Sequence, residues 1–214
     1  MLTLAIDTST NILSLGLVRE GTVLACFDEQ TKNNQSAILM SKIQTMLAEN
    51  NFSPIDLTEI AVAIGPGSYT GIRVGVAAAK SLGYALKIPV IGVSSLAVMA
   101  KATHVDTGII VPMIDARRGT VFAAAYNAKG TVLIKENHYE LYDLLSKLKQ
   151  FTDNVTFVGD VVVESEAVTP ETEFAVSKAS ALAELARNME KEKNIHQLVP
   201  NYLRKTEAEA NLGE

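Results

Sequence analysis

The amino-acid sequence predicts an α/β protein made of two similar halves in tandem. In residues 1–102 the hydrophobic segments predict the order strand, strand, strand, helix, strand, helix, strand, helix. Residues 103–214 begin in the same way, with three strands followed by a helix and a strand. Each half also carries an aspartate at the end of its first strand, Asp7 or Asp115. We therefore expect two lobes with related folds, of which the second is smaller and more degenerate.

The composition is typical of a globular protein without a membrane span. The chain has 214 residues, of which 48% are hydrophobic and 20% are charged, with a formal net charge of -5. A negative net charge disfavours unaided binding of nucleic acid. Asp7 follows the N-terminus too closely for a signal peptide, and Arg73 and Lys80 interrupt the longest apolar stretch. We expect a cytoplasmic protein whose single cysteine, Cys26, is a small buried side chain in a strand.

Turn residues divide both halves into short elements, and tight connections between the first strands predict antiparallel pairing. Strands are predicted at residues 2–6, 12–18, 22–27, 60–64, 89–92, 109–114, 120–126, 131–135 and 155–159. Helices are predicted at residues 36–50, from the turn at 65–71 to Pro89, and at 95–101, 139–150 and 178–193. We expect the last helix and the tail after it to pack back on the first lobe.

A glycine-rich turn lies between the strand at residues 60–64 and the long apolar helix that follows. It reads Gly-Pro-Gly-Ser-Tyr-Thr-Gly over residues 65–71, and Ser68 or Thr70 can cap the helix. A turn of this kind exposes backbone N–H groups that can bind an anion. Its spacing matches neither a Walker A loop nor a dinucleotide fingerprint. A turn without a ligand and a phosphate contact at Gly67 therefore both remain open.

Small residues recur every four positions along the helix after this turn. They are Gly71, Gly75, Ala79 and Gly83. Glycine in a helix interior is about 1 kcal/mol less favourable than alanine, so a close contact is expected along this ridge. We expect this helix to cover a sheet on one side and to meet a second helix on the other, either of the same chain or of another subunit.

The element order of the first half is that of a ribonuclease-H-like fold. Two such lobes in tandem are the architecture of the actin, Hsp70 and sugar-kinase (ASKHA) superfamily, in which the first hairpins of the two lobes face each other across a phosphate site. Asp7, Ser9, Gly67 and Asp115 are therefore candidates for vestigial contacts with a nucleotide or phosphate. The alternative is that both aspartates only cap their hairpins.

Four segments resemble the signature segments of the bacterial TsaB (YeaZ) family, in the family's order and over nearly the whole chain. They are Asp-Thr-Ser at 7–9, Gly-Pro-Gly-Ser-Tyr-Thr-Gly-Ile-Arg at 65–73, Asp-Ala-Arg at 115–117 and Pro-Asn-Tyr-Leu-Arg at 200–204. One departure is Asn-Gln-Ser-Ala at residues 34–37, where members of the family often carry Asn-His-Ser-Glu. Gln35 cannot do the acid–base or metal-binding work of a histidine, so no such role is transferred to it.

The resemblance implies a role in making N6-threonylcarbamoyladenosine at position 37 of tRNAs that read ANN codons. It implies a non-catalytic scaffold and activator of TsaD, the paralogous catalytic subunit. TsaE, an ATPase, joins the pair, and TsaC or its counterpart supplies threonylcarbamoyl-AMP. The resemblance further implies no cofactor of the chain's own, since the partner subunits use ATP and Mg, and contact with tRNA only through the complex.

The resemblance also implies that helices of the first lobe bind TsaD. The candidate partner-binding residues are the small and apolar side chains of the two helices, namely Leu39, Ile43, Met46, Leu47, Gly71, Gly75, Ala78, Ala79 and Leu82. A surface built to meet a paralogue can also meet a second copy of itself, so a homodimer is expected when the chain is alone.

No residue pattern predicts a catalytic or metal site in this chain. None of the histidines, His104, His138 and His196, stands at a recognisable ligand spacing. The main alternative function is a nucleotide-dependent small-molecule kinase or ATPase, with Asp7, Ser9 and Asp115 around a Mg-nucleotide. A glycoprotease-like peptidase is a weaker alternative, because no catalytic triad has a local signature here.

Overall fold

The computed structural model describes residues 1–31, 34–103, 105–151, 153–164, 166–189, 191 and 195–203. The first five strands are β1 (Leu2–Asp7), β2 (Ile12–Arg19), β3 (Thr22–Gln30), β4 (Glu59–Gly65) and β5 (Val90–Ser94). The other five are β6 (Ile109–Asp115), β7 (Thr120–Asn127), β8 (Val132–Glu140), β9 (Val155–Gly159) and β10 (Val168–Thr169). The helices are α1 (Gln35–Glu49), α2 (Tyr69–Leu86), α3 (Ser95–Thr103), α4 (Leu141–Leu148) and α5 (Lys178–Arg187).

The strands form two five-stranded mixed sheets with the same topology. The first has the order β3-β2-β1-β4-β5, and the second, taken from its other edge, has the order β8-β7-β6-β9-β10. In each sheet the first strand runs antiparallel to the second and parallel to the fourth. The prediction of two tandem lobes with related folds is confirmed.

Several element boundaries differ from the predictions; for example, β3 continues to Gln30. β8 continues to Glu140, because Tyr139 pairs with Val121 of β7, so α4 starts later than predicted. α5 ends at Arg187, where the N–H of Asn188 bonds to the carbonyl of Leu185 and tightens the last turn. The predicted helix end at residue 193 lies outside the described residues, as do residues 104 and 204.

Cys26 is exposed, so its predicted burial is wrong. It lies on β3, which is the edge strand of the first sheet and is mostly exposed along its length. The alternation of the sequence predicts a strand there, but it does not say whether the strand lies at the centre or at the edge of the sheet.

The first sheet is covered by helices on both faces. Large side chains such as Leu4 and Ile6 pack against α1 and α2, whereas small ones such as Ala5 pack against α3 and α5. Successive side chains of a strand point to opposite faces, which separates the two sets. At Gly16 a Cβ atom would lie 3.0 Å from the Cβ of Ala179, so α5 packs directly on the strand. A helix that follows the second sheet in sequence therefore belongs to the core of the first.

Helix α3 packs in both lobes. Its Val98 and Ala102 belong to the core of the first sheet, whereas Leu96 and Met99 pack with residues of the second sheet such as Ile110. Helix α4 covers the other face of the second sheet. Within the ranges that the structure describes, no helix is long and apolar enough to cross a membrane.

Residues 195–203 also return to the first lobe. Leu198 packs in the same core cluster as α1 and α2, and Lys80 of α2 donates to its carbonyl oxygen at 2.9 Å. The N–H of Asn201 donates to the carbonyl of Ile64 at 2.7 Å. The side-chain amide of Asn201 donates to Glu136 of β8 at 2.8 Å, so the tail contacts both lobes.

Candidate functional site

The two first hairpins carry the same capped turn. Asp7 Oδ1 accepts hydrogen bonds from the backbone N–H of Ser9 at 2.8 Å and from its hydroxyl at 2.6 Å. Asp115 Oδ1 accepts one from the backbone N–H of Arg117 at 2.8 Å. An aspartate that binds the N–H two residues ahead closes an Asx turn. Both aspartates therefore cap their hairpins, as the simpler interpretation of the sequence required.

The hairpins face each other across a cleft of about 820 Å³ between the lobes. Ser9 and Gly67 line it from the first lobe, and Asp115, Arg117 and Asp160 line it from the second. The Oδ1 atom of Asp160 accepts a hydrogen bond from the backbone N–H of Asp115 at 3.0 Å, so these two acidic residues lie side by side. The structure thus brings three of the four candidate phosphate contacts, Ser9, Gly67 and Asp115, to one cleft.

The glycine turn packs on the first hairpin. A Cβ atom at Gly67 would overlap the carbonyl oxygen of Ser9, and the N–H of Ser68 donates to that same oxygen at 2.7 Å. The Ser68 hydroxyl caps α2 by accepting the N–H of Gly71 at 3.2 Å. Two N–H groups of the turn region are therefore already used inside the chain, and the close approach of Ser9 accounts for the glycine at 67.

Asp7, the fourth candidate, does not line the cleft. Its side chain is fully buried, and its Oδ2 atom lies 3.6 Å from the ammonium nitrogen of Lys178 on α5. Lys178 lies 2.7 Å from Glu171 Oε2 and donates to the Thr10 hydroxyl at 2.8 Å. Burial alone would lower the pKa of Lys178, but the carboxylates of Asp7 and Glu171 raise it above its ordinary value. The proposed phosphate contact at Asp7 is corrected, because this carboxylate already has an internal counter-ion.

The described residues contain no group of three or more histidine, cysteine, aspartate or glutamate side chains arranged to hold a metal ion. The Nε2 atom of His138 lies 2.7 Å from the hydroxyl of Thr120 on the neighbouring strand. The ring of His196 packs 6.2 Å from that of Tyr84 on α2. These two histidines therefore lie in different parts of the molecule.

The small ridge of α2 packs inside its own chain. A Cβ atom at Gly71 would overlap the carbonyl oxygen of Thr8, and one at Gly75 would overlap the Thr8 hydroxyl. A Cβ atom at Gly83 would overlap Val90 of β5. The ridge meets the first hairpin and a strand of its own lobe, whereas the second helix that α2 contacts is α1 of the same chain.

Burial corrects most of the predicted partner-binding set. Seven of its nine members are buried in the first lobe, namely Leu39, Ile43, Met46, Leu47, Gly71, Gly75 and Ala79. Only Ala78 and Leu82 are partly exposed. The apolar face of α1 covers the sheet, as the face of an amphipathic helix usually does, and cannot at the same time meet a partner.

The exposed sides of α1 and α2 include an uncharged surface, although charged residues such as Glu49 and Arg73 are exposed on the same helices. Both helices pack on the same side of the first sheet, so their outer sides point away from it together. We call this surface the α1/α2 face and define it by Ala37, Met40, Ser41, Gln44, Ala48, Val74, Ala77, Ala78, Ser81 and Ala85. Met40 is 48% exposed and is the largest apolar side chain of this face. In the sequence, the four-residue spacing of Ala77, Ser81 and Ala85 indicates this face, but the glycine ridge of the same helix is the more conspicuous pattern.

Two further signature residues, Arg73 and Tyr202, meet at the N-terminal part of α2. The Arg73 guanidinium carbon lies 4.0 Å from the ring centroid of Tyr69, and its Nε donates to the hydroxyl of Tyr202 at 2.8 Å. The rings of Tyr69 and Tyr202 are 5.3 Å apart. This stack holds the C-terminal tail against α2 and borders the α1/α2 face.

The chain has a relative that it matches over almost its full length. It is 39% identical to the tRNA threonylcarbamoyladenosine biosynthesis protein TsaB of Bacillus subtilis (strain 168), over 98% of this chain and 97% of that protein. The chain belongs to the TsaB family. Residues 28–168 also match the family model described as TsaD, tRNA N6-adenosine threonylcarbamoyltransferase, which places this family member in the broader group covered by that model.

Other family members agree with this assignment. The TsaB protein of Escherichia coli (strain K12) is 38% identical over 58% of this chain and 54% of its own length. The solved structure of YeaZ from Pseudomonas aeruginosa matches with a TM-score of 0.72 at 24% identity, covering 94% of this chain and 99% of that one. The two-lobed fold is therefore shared with this YeaZ structure.

Proposed function

We propose that the chain is a non-catalytic scaffold and activator of TsaD in the formation of N6-threonylcarbamoyladenosine at position 37 of ANN-decoding tRNAs. The Bacillus subtilis relative is named for threonylcarbamoyladenosine biosynthesis, which supports the pathway. The chain docks on the transferase through the α1/α2 face. TsaE joins the pair, and tRNA is contacted through the complex.

The uncharged α1/α2 face is the observation that carries this proposal. Charged side chains of the same helices bond away from this face, since Lys42 pairs with Glu29 of β3 and both Arg73 and Lys80 bond to the C-terminal tail. Small side chains let two helices approach to roughly 8–10 Å, and a core depleted in charge is typical of protein interfaces. A stable pair would bury about 1,600 Å² in total. The face therefore fits a helical partner surface, and a second copy of the chain is expected to use it when TsaD is absent.

The buried ion pair of Asp7 with Lys178 supports a role without chemistry. A nucleotide-dependent enzyme of this fold would need that carboxylate free to face a Mg-nucleotide, whereas here it is fully buried against an ammonium group. Activation must then come from binding. The chain makes different contacts with the active and inactive arrangements of TsaD and so biases it towards the active one.

The open cleft favours one alternative, a nucleotide-dependent kinase or ATPase. Its volume of about 820 Å³ is enough for a small molecule, and Ser9, Gly67 and Asp115 line it. Under this alternative the isolated chain turns over ATP, and Asp115→Ala abolishes the turnover.

Reconstitution separates the two functions. Threonylcarbamoyl transfer to tRNA is measured with TsaD, TsaE and the threonylcarbamoyl-AMP synthase, with and without this chain, and ATP turnover by the chain alone is the control. We expect transfer only when the chain is added, and no turnover by the chain alone. Full transfer without the chain would overturn the scaffold role.

A further inference from the structure

A buried ion cluster lies behind the first hairpin. The ammonium of Lys178 lies between two carboxylates, 2.7 Å from Glu171 and 3.6 Å from Asp7, and it donates to the hydroxyl of Thr10 at 2.8 Å. That hydroxyl donates in turn to Glu171 at 2.8 Å. The side chains of Lys178, Glu171 and Asp7 are 3%, 6% and 0% exposed. The cluster therefore fixes the loop after β1 from the side of α5.

The position of Lys178 is unfavourable without its carboxylate partners. It is the first residue of α5, where the partial positive charge of a helix N-terminus repels a cation. Burial adds a desolvation penalty to that repulsion. The two carboxylates, the Thr10 hydroxyl and, more weakly, the charge of Asp28 compensate, so the ammonium and the loop hold each other in place.

The same loop holds the first turn of α2. The carbonyl of Ser9 accepts the N–H of Ser68, the N-cap of α2, at 2.7 Å. The hydroxyl of Thr8 donates to the carbonyl of Gly71 at 2.7 Å. The glycines at 67, 71 and 75 bring α2 so close to the loop that a Cβ atom at any of them would overlap it. A displacement of the loop must therefore displace α2.

The loop also holds the start of α1. Nε2 of Gln35, the first residue of that helix, donates to the carbonyl of Thr10 at 2.8 Å in a buried contact. Thr10 thus connects the two sides, since its hydroxyl accepts from Lys178 and its carbonyl accepts from Gln35. This contact gives a structural role to the residue that departs from the family's usual histidine.

We propose that Lys178 is a positioning residue for the α1/α2 face. Its charge fixes residues 8–11, and these residues fix the N-terminal turns of both helices and hence the spacing of the face. Lys178 lies on the opposite side of the sheet from this face and does not take part in it. The consequence for partner binding rests on the proposed function, whereas the consequence for the two helices does not.

Hydrogen exchange of the isolated chain tests the positioning directly. In Lys178→Met, the amides of Ser68 and Ile72 and those of residues 37–39 are expected to exchange at least about tenfold faster than in the wild type. Lys101→Met is the matched control, because it breaks an ion pair of 2.7 Å between α3 and Glu184 of α5 without touching the loop. Unchanged exchange at both helix starts in a folded Lys178→Met chain would overturn the proposal.

Thr10→Val covers the case in which Lys178→Met does not fold. It removes the hydroxyl that joins Lys178 to the loop and that also accepts the N–H of Ile12 at 3.3 Å, and it leaves all three charges in place. The same amides are expected to exchange faster, and the proposal fails if they do not.

Affinity for TsaD tests the consequence of positioning. Lys178→Met is expected to weaken binding by about tenfold, and Lys101→Met to change it by less than about twofold. In a Gln35→Met background the effect of Lys178→Met should shrink, because the link from the loop to α1 is already cut. If the losses in affinity caused by Lys178→Met and Gln35→Met simply add, Lys178 does not act on α1 through the loop. If wild-type chain does not bind TsaD, the proposed function fails, while the exchange measurement still decides the role of Lys178.

Discussion

The first hairpins of the two lobes have the same turn but opposite surroundings. Asp7 and Asp115 each bind the N–H two residues ahead, at the end of the first strand of sheets with the same topology. Asp7 is fully buried against Lys178, whereas Asp115 lines the open cleft. The same hairpin therefore organises the helices of one lobe and forms an exposed rim in the other. Inherited local structure does not determine what a residue does in each copy.

Substituting the two aspartates should give the largest difference between the hairpins. Asp7→Ala leaves the buried N–H and hydroxyl of Ser9 without their acceptor and removes one of the carboxylates that surround Lys178, so we expect a loss of about 3–5 kcal/mol in the free energy of unfolding. Asp115→Ala removes one exposed cap and should lose only about 0.5–1.5 kcal/mol. Denaturant unfolding of both variants measures the difference. Equal losses in the free energy of unfolding would mean that the ion cluster does not stabilise the first hairpin.

A smaller difference is expected between the inner and outer sides of α2. Gly75→Val places side-chain atoms where the Thr8 hydroxyl lies, which should destabilise the fold by about 1–3 kcal/mol. Ala77→Val, two residues further on the exposed side, should change stability by less than about 0.5 kcal/mol. Thermal unfolding compares the two. A Gly75→Val chain as stable as the wild type would mean that the glycine ridge lies at the surface and does not pack on Thr8.

Alkaline pH should lower the free energy of unfolding through two buried groups. They are Lys178, in the core of the first lobe, and Tyr126, in the second lobe. Burial lowers the pKa of Lys178, but the carboxylates of Asp7 and Glu171 outweigh it and raise the pKa above its ordinary value; burial and nearby Glu136 raise the pKa of Tyr126 from 10.0 to about 12. In both cases the protonated form is favoured by folding, so the contribution is complete below the unfolded pKa and is lost as pH rises through the folded one.

The measurement is the unfolding midpoint in denaturant as pH is raised from about 8 to about 12. We expect a decrease that begins near pH 10 and is smaller in Tyr126→Phe, which cannot ionise. A midpoint that stays level across this range would contradict both shifted pKa values.

The sequence predicted the fold because local signals sufficed for it. Alternating apolar segments and tight turns determine the order of the strands, and the repeated aspartate at residues 7 and 115 indicated the tandem lobes. The partner surface was harder to predict. A ridge of small residues fits a close contact with either a partner or the chain's own loop, and only the packing of Thr8 on Gly71 and Gly75 distinguishes them.

The ion cluster could not be predicted from sequence at all. Asp7 and Lys178 lie far apart along the chain, and no local pattern relates a lysine at a helix start to a hairpin in the other half. Gln35 was excluded as a catalytic or metal-binding residue for chemical reasons that still hold, but its hydrogen bond to Thr10 depends on the position of the loop. Long-range contacts of this kind decide which of several chemically suitable partners a side chain meets.

Docking of TsaD on the α1/α2 face is tested most directly by one pair of substitutions. Ser81→Arg places a long charged side chain at the middle of the face, and Ser146→Arg places the same side chain on the exposed surface of α4 in the second lobe. We expect Ser81→Arg to weaken TsaD binding, measured by titration calorimetry, by at least about tenfold, and Ser146→Arg to bind like the wild type. Equal affinities for the two variants would contradict the assignment of this face as the docking surface.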